Sequence, residues 1–190
     1  KLHFNGFFYR LSMKHPLFLQ TILILSFILT ACSSPDDRRL EQALVFAGSN
    51  RGELEKVLSN YTDEPEKLEA ARFLIRNMPR WYGYKGWQLD SIKPVLVQGA
   101  KDRFFNKDVV QKWQNVSFNS LQKVYDCHVI TADYLIENID LAFDVWKRYP
   151  WNKHVGFDDF CEYILPYRIG DEPLSSWRKL YHDYYSTMVD

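Results

Sequence analysis

The sequence predicts an all-α protein: an irregular bundle of about six to eight short helices with aromatic-rich loops, preceded by an N-terminal signal helix. Two observations predict this class. Apolar residues recur at helical spacing through most of the chain, and prolines and glycines end each amphipathic segment. Brief turns join the first three of these segments, which is typical of a helical bundle.

The first three helices are predicted after a short polar stretch. We place the first at 36–47, where Asp36 and Asp37 suit the positive N-terminal end. Asn50 suits the N-cap of the second helix, and the third occupies 64–77. Their core positions are Leu40, Ala43, Leu44, Ala47, Leu54, Val57, Leu58, Tyr61, Leu68, Ala71, Leu74 and Ile75.

The stretch 80–99 interrupts the helical pattern. Glycines interleave its aromatic residues, so we predict a packed loop, and Pro94 limits any helix near it. Such a loop either packs against the core or binds a glycan or a peptide. The candidate binding residues are Trp81, Tyr82, Tyr84 and Trp87. Further short helices are predicted at 106–113 and 117–124.

The clearest long helix is predicted at 131–149 and ends before Pro150. A helix at 157–165 follows, and Pro173 starts the final helix. The apolar positions of the first and last of these helices are Leu135, Ile139, Ala142, Phe143 and Trp146, then Leu174, Trp177, Leu180, Tyr181 and Tyr184.

The segment 13–31 has the parts of a secretory signal: a basic flank after Met13, an apolar run and small residues at its end. Cys32 follows directly, and this pattern is typical of bacterial lipoproteins that are cut before the cysteine and lipidated on it. We therefore predict four segments: upstream read-through at 1–12, the signal peptide at 13–31, an acidic tether at 32–37 and the helical domain at 38–190.

A lipid on Cys32 would hold the domain at a membrane, because each buried CH₂ contributes about 0.8 kcal/mol. The predicted location is the bacterial cell envelope, as an outer-membrane lipoprotein. Asp36 and Asp37 resemble a surface-export signal of the Bacteroidetes. Which face of the outer membrane carries the domain stays open.

Composition argues against nucleic acid as a partner. The chain has 24 basic and 24 acidic side chains, a formal net charge of +0, without a clustered basic stretch. The cysteines and histidines lack CxxC or HExxH spacing, so we predict neither a metal site nor a cofactor. Cys127 and Cys161 either form a disulfide or remain buried thiols.

Three pieces of the chain carry a family resemblance. They are ARFLIRNMP at 71–79, TADYLIENID at 131–140 and FDDFCEYILPYR at 157–168. Together they resemble the N-terminal helical region of large Bacteroidetes lipoproteins with a transglutaminase-like domain. The resemblance covers most of the stretch 41–178 and implies a helical region that precedes a catalytic unit of the papain-like superfamily.

The resemblance implies an accessory role for this chain. In that family the catalytic Cys, His and Asp lie after the matched region, so we assign no catalytic residue here and predict that the chain alone is not an enzyme. Its implied partner is a downstream transglutaminase-like domain. Two alternatives stay open: a stand-alone surface module for a glycan or a peptide, and a cysteine-dependent enzyme that uses Cys161 with His154 or His182.

A structural polar network is predicted around the turn between the last two helices. Arginine can bind a carboxylate through two parallel hydrogen bonds, and this region holds two arginines and two glutamates. The predicted members are Glu162, Arg168, Glu172 and Arg178. Such a network would fix where a following domain begins.

Overall fold

The computed structural model describes residues 34–103, 107, 111, 114, 116–170 and 174–189. It is mainly helical, with one two-stranded sheet, which confirms the predicted all-α class. The helices of the described residues are α1 (Pro35–Phe46), α2 (Arg51–Asn60), α3 (Pro65–Asn77), α4 (Trp87–Asp102), α5 (Ala132–Arg148), α6 (Phe157–Asp159, which continues as a π-helix over Phe160–Ile164) and α7 (Trp177–Val189). The strands are β1 (Tyr82–Lys85) and β2 (Gln122–Tyr125).

Helix α1 begins inside the predicted acidic tether. Asp37 N donates to Ser34 Oγ over 3.0 Å, and the Asp37 carboxylate accepts from Ser34 N over 3.2 Å. Ser34 and Asp37 thus cap each other, and Pro35 occupies the first position of the helix, where proline is favoured. The predicted tether at 32–37 therefore overlaps the first helix from Pro35 onward, and its first two residues lie outside the described ones. The chain divides into two compact units, Lys1–Arg38 and Arg39–Asp190.

The core of the second unit lies between α2, α3, α5 and α6. Thr131 caps α5 by accepting from Tyr134 N over 3.3 Å. Trp146 stacks on Phe160 with ring centroids 4.3 Å apart, and Phe143 meets Phe160 edge-on at 4.9 Å. Each fully buried large apolar side chain contributes about 1.5–3 kcal/mol. The predicted apolar stripe of the long helix is confirmed, since all its members are buried.

Asn50 joins the core helices to a distant turn and does not cap its own helix. Its side chain makes no capping hydrogen bond to α2. Instead Nδ2 donates to Cys127 O over 3.0 Å and to Ile130 O over 2.8 Å. Because those carbonyls belong to an irregular segment with few backbone partners, Asn50 satisfies them and fixes the approach to α5.

A two-stranded antiparallel sheet, called the hairpin below although the stretch 86–121 separates its strands, includes parts of the loop predicted at 80–99 and of the helix predicted at 117–124. Helix α4 occupies most of the remainder of the predicted loop. Strand β1 pairs antiparallel with β2, with Tyr82 opposite Tyr125 and Lys85 opposite Gln122. Both predictions are wrong for the same reason: each strand is short, and its partner lies far along the chain, so local periodicity does not reveal it. A Cβ on Gly86 would lie 2.6 Å from Leu121 Cδ2 and 2.8 Å from Gln88 Oε1, so a larger residue there would have to displace these two side chains.

Helix α4 continues through Pro94, contrary to the prediction. A proline inside a helix costs about 3 kcal/mol, because it removes one hydrogen bond and crowds the preceding turn. The buried Gln88 stabilises the start of α4, donating to Ser117 O over 3.1 Å and to Ser120 Oγ over 2.7 Å. Most of the helix predicted at 106–113 lies outside the described residues.

The last two predicted helices are borne out with shifted bounds. Helix α6 ends at Ile164, before Pro166, as the proline predicts. Helix α7 begins at Trp177 and not at Pro173, which lies outside the described residues. None of the helices that the structure describes is long and apolar enough to cross a membrane.

Candidate functional site

A buried ion pair lies beneath the hairpin. Arg168 Nη1 is 3.0 Å from both carboxylate oxygens of Asp126, and the two side chains are only 4% and 3% exposed. Arg168 Nη2 also donates to Tyr82 O over 3.0 Å, and Nε donates to Gly170 O over 3.1 Å. Tyr167 Oη donates to the same carboxylate over 3.1 Å. One guanidinium therefore joins β1, the turn after β2 and the segment after α6.

Asp126 is also held through its backbone. Its N–H donates to Trp81 O over 3.1 Å, which extends the ladder of the hairpin. Its carbonyl accepts from Val129 N and Ile130 N over 3.0 and 2.9 Å. Burial raises the pKa of Asp126, and Arg168 and the Tyr167 hydroxyl oppose that rise. The same burial, next to the Asp126 charge, raises the pKa of Tyr167, so this phenol stays protonated and donates.

A second buried arginine fixes α7. Arg178 Nε donates to Asn138 Oδ1 over 2.8 Å, and Nη2 donates to the carbonyls of Ile164 and Pro166. These carbonyls follow the end of α6, where helical partners are lacking, so the arginine satisfies them. Burial lowers the pKa of Arg178 to about 10, which leaves it charged at neutral pH.

Both predicted arginines make buried polar contacts, and among the described residues neither is hydrogen-bonded to Glu162. That side chain is exposed, and the carboxylate that binds Arg168 belongs to Asp126. Glu172 lies outside the described residues. Asp126 gave little signal in the sequence because it lies far from Arg168 along the chain, and Asn138 is one polar residue on a helix dominated by apolar positions.

The four predicted aromatic binding residues surround the hairpin but differ in exposure. Trp81 and Tyr82 are half-buried, and Lys123 Nζ lies 3.5 Å from the centroid of the Tyr82 ring. Tyr84 and Trp87 are 53% and 64% exposed. Tyr84 meets Tyr82 edge-on at 5.6 Å. The structure thus leaves two of the four rings available to a ligand.

Tyr84 lines a cavity of about 450 Å³ between the hairpin and the start of α4. The Asp126–Arg168 pair forms its polar end. The remaining lining is mainly aliphatic: Leu89, Leu121, Val124, Val129 and Leu174. Trp87 is not part of this lining, so the predicted aromatic stretch does not form one continuous platform.

Both cysteines that the structure describes are free and buried. Burial raises the pKa of Cys127 to about 11 and that of Cys161 to about 12. A nucleophilic cysteine needs a stabilised thiolate, and this environment has the opposite effect. His154 is exposed, and His182 bonds to Asp144 over 3.0 Å. Among the described residues, no hydrogen bond joins Cys161 to either histidine.

No group of three or more His, Cys, Asp or Glu side chains in the described part of the chain could hold a metal ion. A scan against protein-family models, a search of curated proteins and a search of solved structures found no match to this chain. The resemblance to transglutaminase-like lipoproteins therefore stays a prediction, and the function has to be argued from geometry.

We expect Arg168→Met to lower the free energy of unfolding by about 3–5 kcal/mol, because it leaves the Asp126 carboxylate buried without its cation. The double variant with Asp126→Leu should lose less than the sum of the two single variants, as both charges are then gone. Urea unfolding measures this. Arg51→Met is the control: that arginine forms solvent-exposed pairs with Glu41 and Glu55, so its loss should lower the free energy of unfolding far less than the loss of Arg168. Additive losses at the buried pair would contradict this account.

Labelling with iodoacetamide directly tests the hypothesis that the chain is a cysteine-dependent enzyme. At pH 7.5 the native protein should resist labelling at Cys127 and Cys161, since both thiols are buried and their pKa values of about 11 and 12 leave almost no thiolate. In urea both should react. Peptide mass spectrometry reads each site separately. Rapid native labelling of Cys161 alone would revive the hypothesis of a cysteine-dependent enzyme.

Proposed function

We propose that this chain is a membrane-tethered, non-catalytic accessory domain that positions a transglutaminase-like catalytic domain. One observation carries the proposal: the base of α7 is fixed to the core, whereas its outer side is apolar and exposed. Leu180 is 68% and Tyr184 is 59% exposed. A rigid helix with an apolar outer side is what a domain needs in order to orient its neighbour.

The fixed base of α7 consists of two adjacent residues. Arg178 makes three hydrogen bonds to Asn138 and to carbonyls after α6, and hydrogen bonds from charged groups contribute about 1.5–3 kcal/mol each. Trp177 Nε1 donates to Tyr167 O over 2.9 Å, and Tyr134 Oη donates to the same carbonyl. The direction of α7 is thereby coupled to the segment that holds Arg168.

The apolar outer side distinguishes α7 from the long core helix α5. Helix α5 buries its apolar stripe, whereas α7 keeps Leu180, Tyr181, Tyr184 and Tyr185 at least half exposed. Exposed apolar residues scattered singly are ordinary, but several on one short helix mark an interaction surface. The sequence resemblance names the occupant, since in that family the catalytic unit follows the matched helical region.

The tether fits the same role. Helix α1 begins three residues after Cys32, and extended chain spans at most about 3.6 Å per residue, so a lipid on Cys32 would hold α1 within about 10 Å of the lipid surface. The acyl chains would provide the affinity for the membrane. The predicted outer-membrane location stays part of this proposal.

The test begins with the coding sequence beyond Asp190 or beside it, which should encode a region with catalytic Cys, His and Asp. The intact protein, extracted from membranes with its acyl mass on Cys32, is then compared with the double variant Leu180→Glu and Tyr184→Glu. We expect the variant to open α7 to proteolysis and to weaken amine incorporation into a glutamine peptide, because charge disrupts an apolar contact.

Tyr163→Glu is the control, since Tyr163 is 77% exposed on α6 and the substitution introduces one carboxylate away from α7. It should leave both readouts unchanged. The proposal fails if no catalytic region is encoded in frame or adjacent, or if the double variant behaves as the control does.

A second candidate function is a stand-alone binding module that uses the hairpin cavity. The aliphatic lining of this cavity favours an apolar peptide side chain over a sugar, because sugars need aromatic faces and many hydrogen-bonding groups. Peptides selected from a displayed library should lose binding with Tyr84→Ala and keep it with Trp87→Ala, since only Tyr84 lines the cavity. Equal effects of the two substitutions would contradict a site in this cavity.

A further inference from the structure

A groove of about 420 Å³ runs between the end of α5 and one side of α7. It is separate from the hairpin cavity, and Leu180 is not part of it. Its lining residues are Val145 and Tyr149 from α5 and its C-terminal end, and Trp177, Arg178, Tyr181, His182, Tyr185 and Ser186 from α7. Half of these side chains are aromatic, whereas the lining of the hairpin cavity is mainly aliphatic.

Three aromatic rings line one side of the groove, and the Trp177 ring is inclined by 61° to that of Tyr181. Trp177, Tyr181 and Tyr185 follow one another at four-residue spacing, which places them on one side of the helix. The rings of Tyr181 and Tyr185 are nearly parallel, with centroids 6.0 Å apart and planes inclined by 17°. Both side chains are half exposed, so their outer faces can contact a ligand.

The polar side of the groove has an incompletely bonded histidine. His182 Nε2 lies 3.0 Å from Asp144 Oδ2, and Arg148 Nη2 lies 2.7 Å from the same oxygen. His182 Nδ1 is buried and has no hydrogen-bond partner among the described residues, although Asp183 Oδ1 lies 3.6 Å away. Buried polar atoms nearly always have a partner, but this nitrogen exposes no surface to the groove, so a ligand hydroxyl would reach it only after the imidazole turned.

The charges around the groove are compensated. The Asp144 carboxylate accepts from His182 and pairs with Arg148, and these contacts lower its pKa, so it remains ionised. Arg178 directs its guanidinium to Asn138 and to backbone carbonyls. A strongly charged ligand would therefore find no uncompensated counter-charge, which favours a neutral ligand.

We propose that this groove binds a neutral oligosaccharide. The apolar C–H face of a pyranose ring stacks on the exposed side of Tyr181 or Tyr185, and sugar hydroxyls bond to Ser186 and the tyrosine hydroxyls. The two tyrosines lie about one helical turn apart, so they suit consecutive sugar units. The groove shares α7 with the proposed domain contact, but its stacking rings are Tyr181 and Tyr185, whereas the positioning test changes Leu180 and Tyr184.

The experiment titrates the full chain with neutral hexasaccharides of β-1,4-glucose, α-1,4-glucose, β-1,3-glucose and α-1,6-mannose by calorimetry. At least one should bind with a dissociation constant below about 1 mM. Tyr181→Ala and Tyr185→Ala should each weaken binding at least about tenfold, because each removes a stacking face. Tyr181→Phe should retain most of the affinity, because it keeps the ring.

Tyr163→Ala is the control, because it removes an exposed tyrosine outside the groove and should leave the affinity unchanged. Circular dichroism confirms that each variant is folded. The proposal is overturned if no hexasaccharide binds, or if Tyr181→Ala and Tyr185→Ala bind as the native chain does. The positioning test changes Leu180 and Tyr184, whereas the sugar test changes Tyr181 and Tyr185. A negative result in one test can therefore be distinguished from a negative result in the other.

Discussion

The fold depends on the buried contact between Arg168 and Asp126. Without it, three irregular segments would meet beneath the hairpin with their carbonyl and carboxylate oxygens unsatisfied. The pair does not have to be the most stabilising solution, since buried ion pairs often contribute less than apolar replacements of similar volume. Its geometry is specific, because the N–H groups of a planar guanidinium point in fixed directions and require the acceptors to lie along them. The pair therefore contributes more to the choice of the segments that meet here than to the free energy of unfolding.

Arg178 applies the same physical solution at the next junction. Carbonyl groups at a helix end have no partners within the helix, and a long cationic side chain from the following helix reaches them. Each arginine closes one junction, and Tyr167 lies between them, bonded to Asp126 and accepting from Trp177. The path from the hairpin to α7 is consequently continuous and polar within a mainly apolar protein. Such a path suits a domain whose role is to hold one part of an assembly at a defined angle to another.

The amphipathic helices could be predicted from the sequence, because their apolar spacing is local and α2, α3 and α5 follow it closely. The hairpin could not, because Tyr82 and Tyr125 pair across a long separation and their own segments are too short to show a period. Helix α4 was missed since Pro94 is a strong local signal that tertiary contacts overcame. Around the buried ion pair, the arginines could be recognised from their residue type. Asp126 and Asn138 could not, because they come close to the arginines only in the folded chain, and sequence spacing does not show this.

The hairpin has a consequence for how the chain can change over evolution. The excursion 86–121 leaves β1 and returns to β2 at neighbouring points, where Gly86 and Leu121 approach closely. A segment whose two ends are adjacent can be lengthened, shortened or exchanged at modest entropic cost, because closing a longer loop adds little free energy. None of the core residues that the structure describes lies in this excursion. The excursion can therefore change in length with little effect on that core.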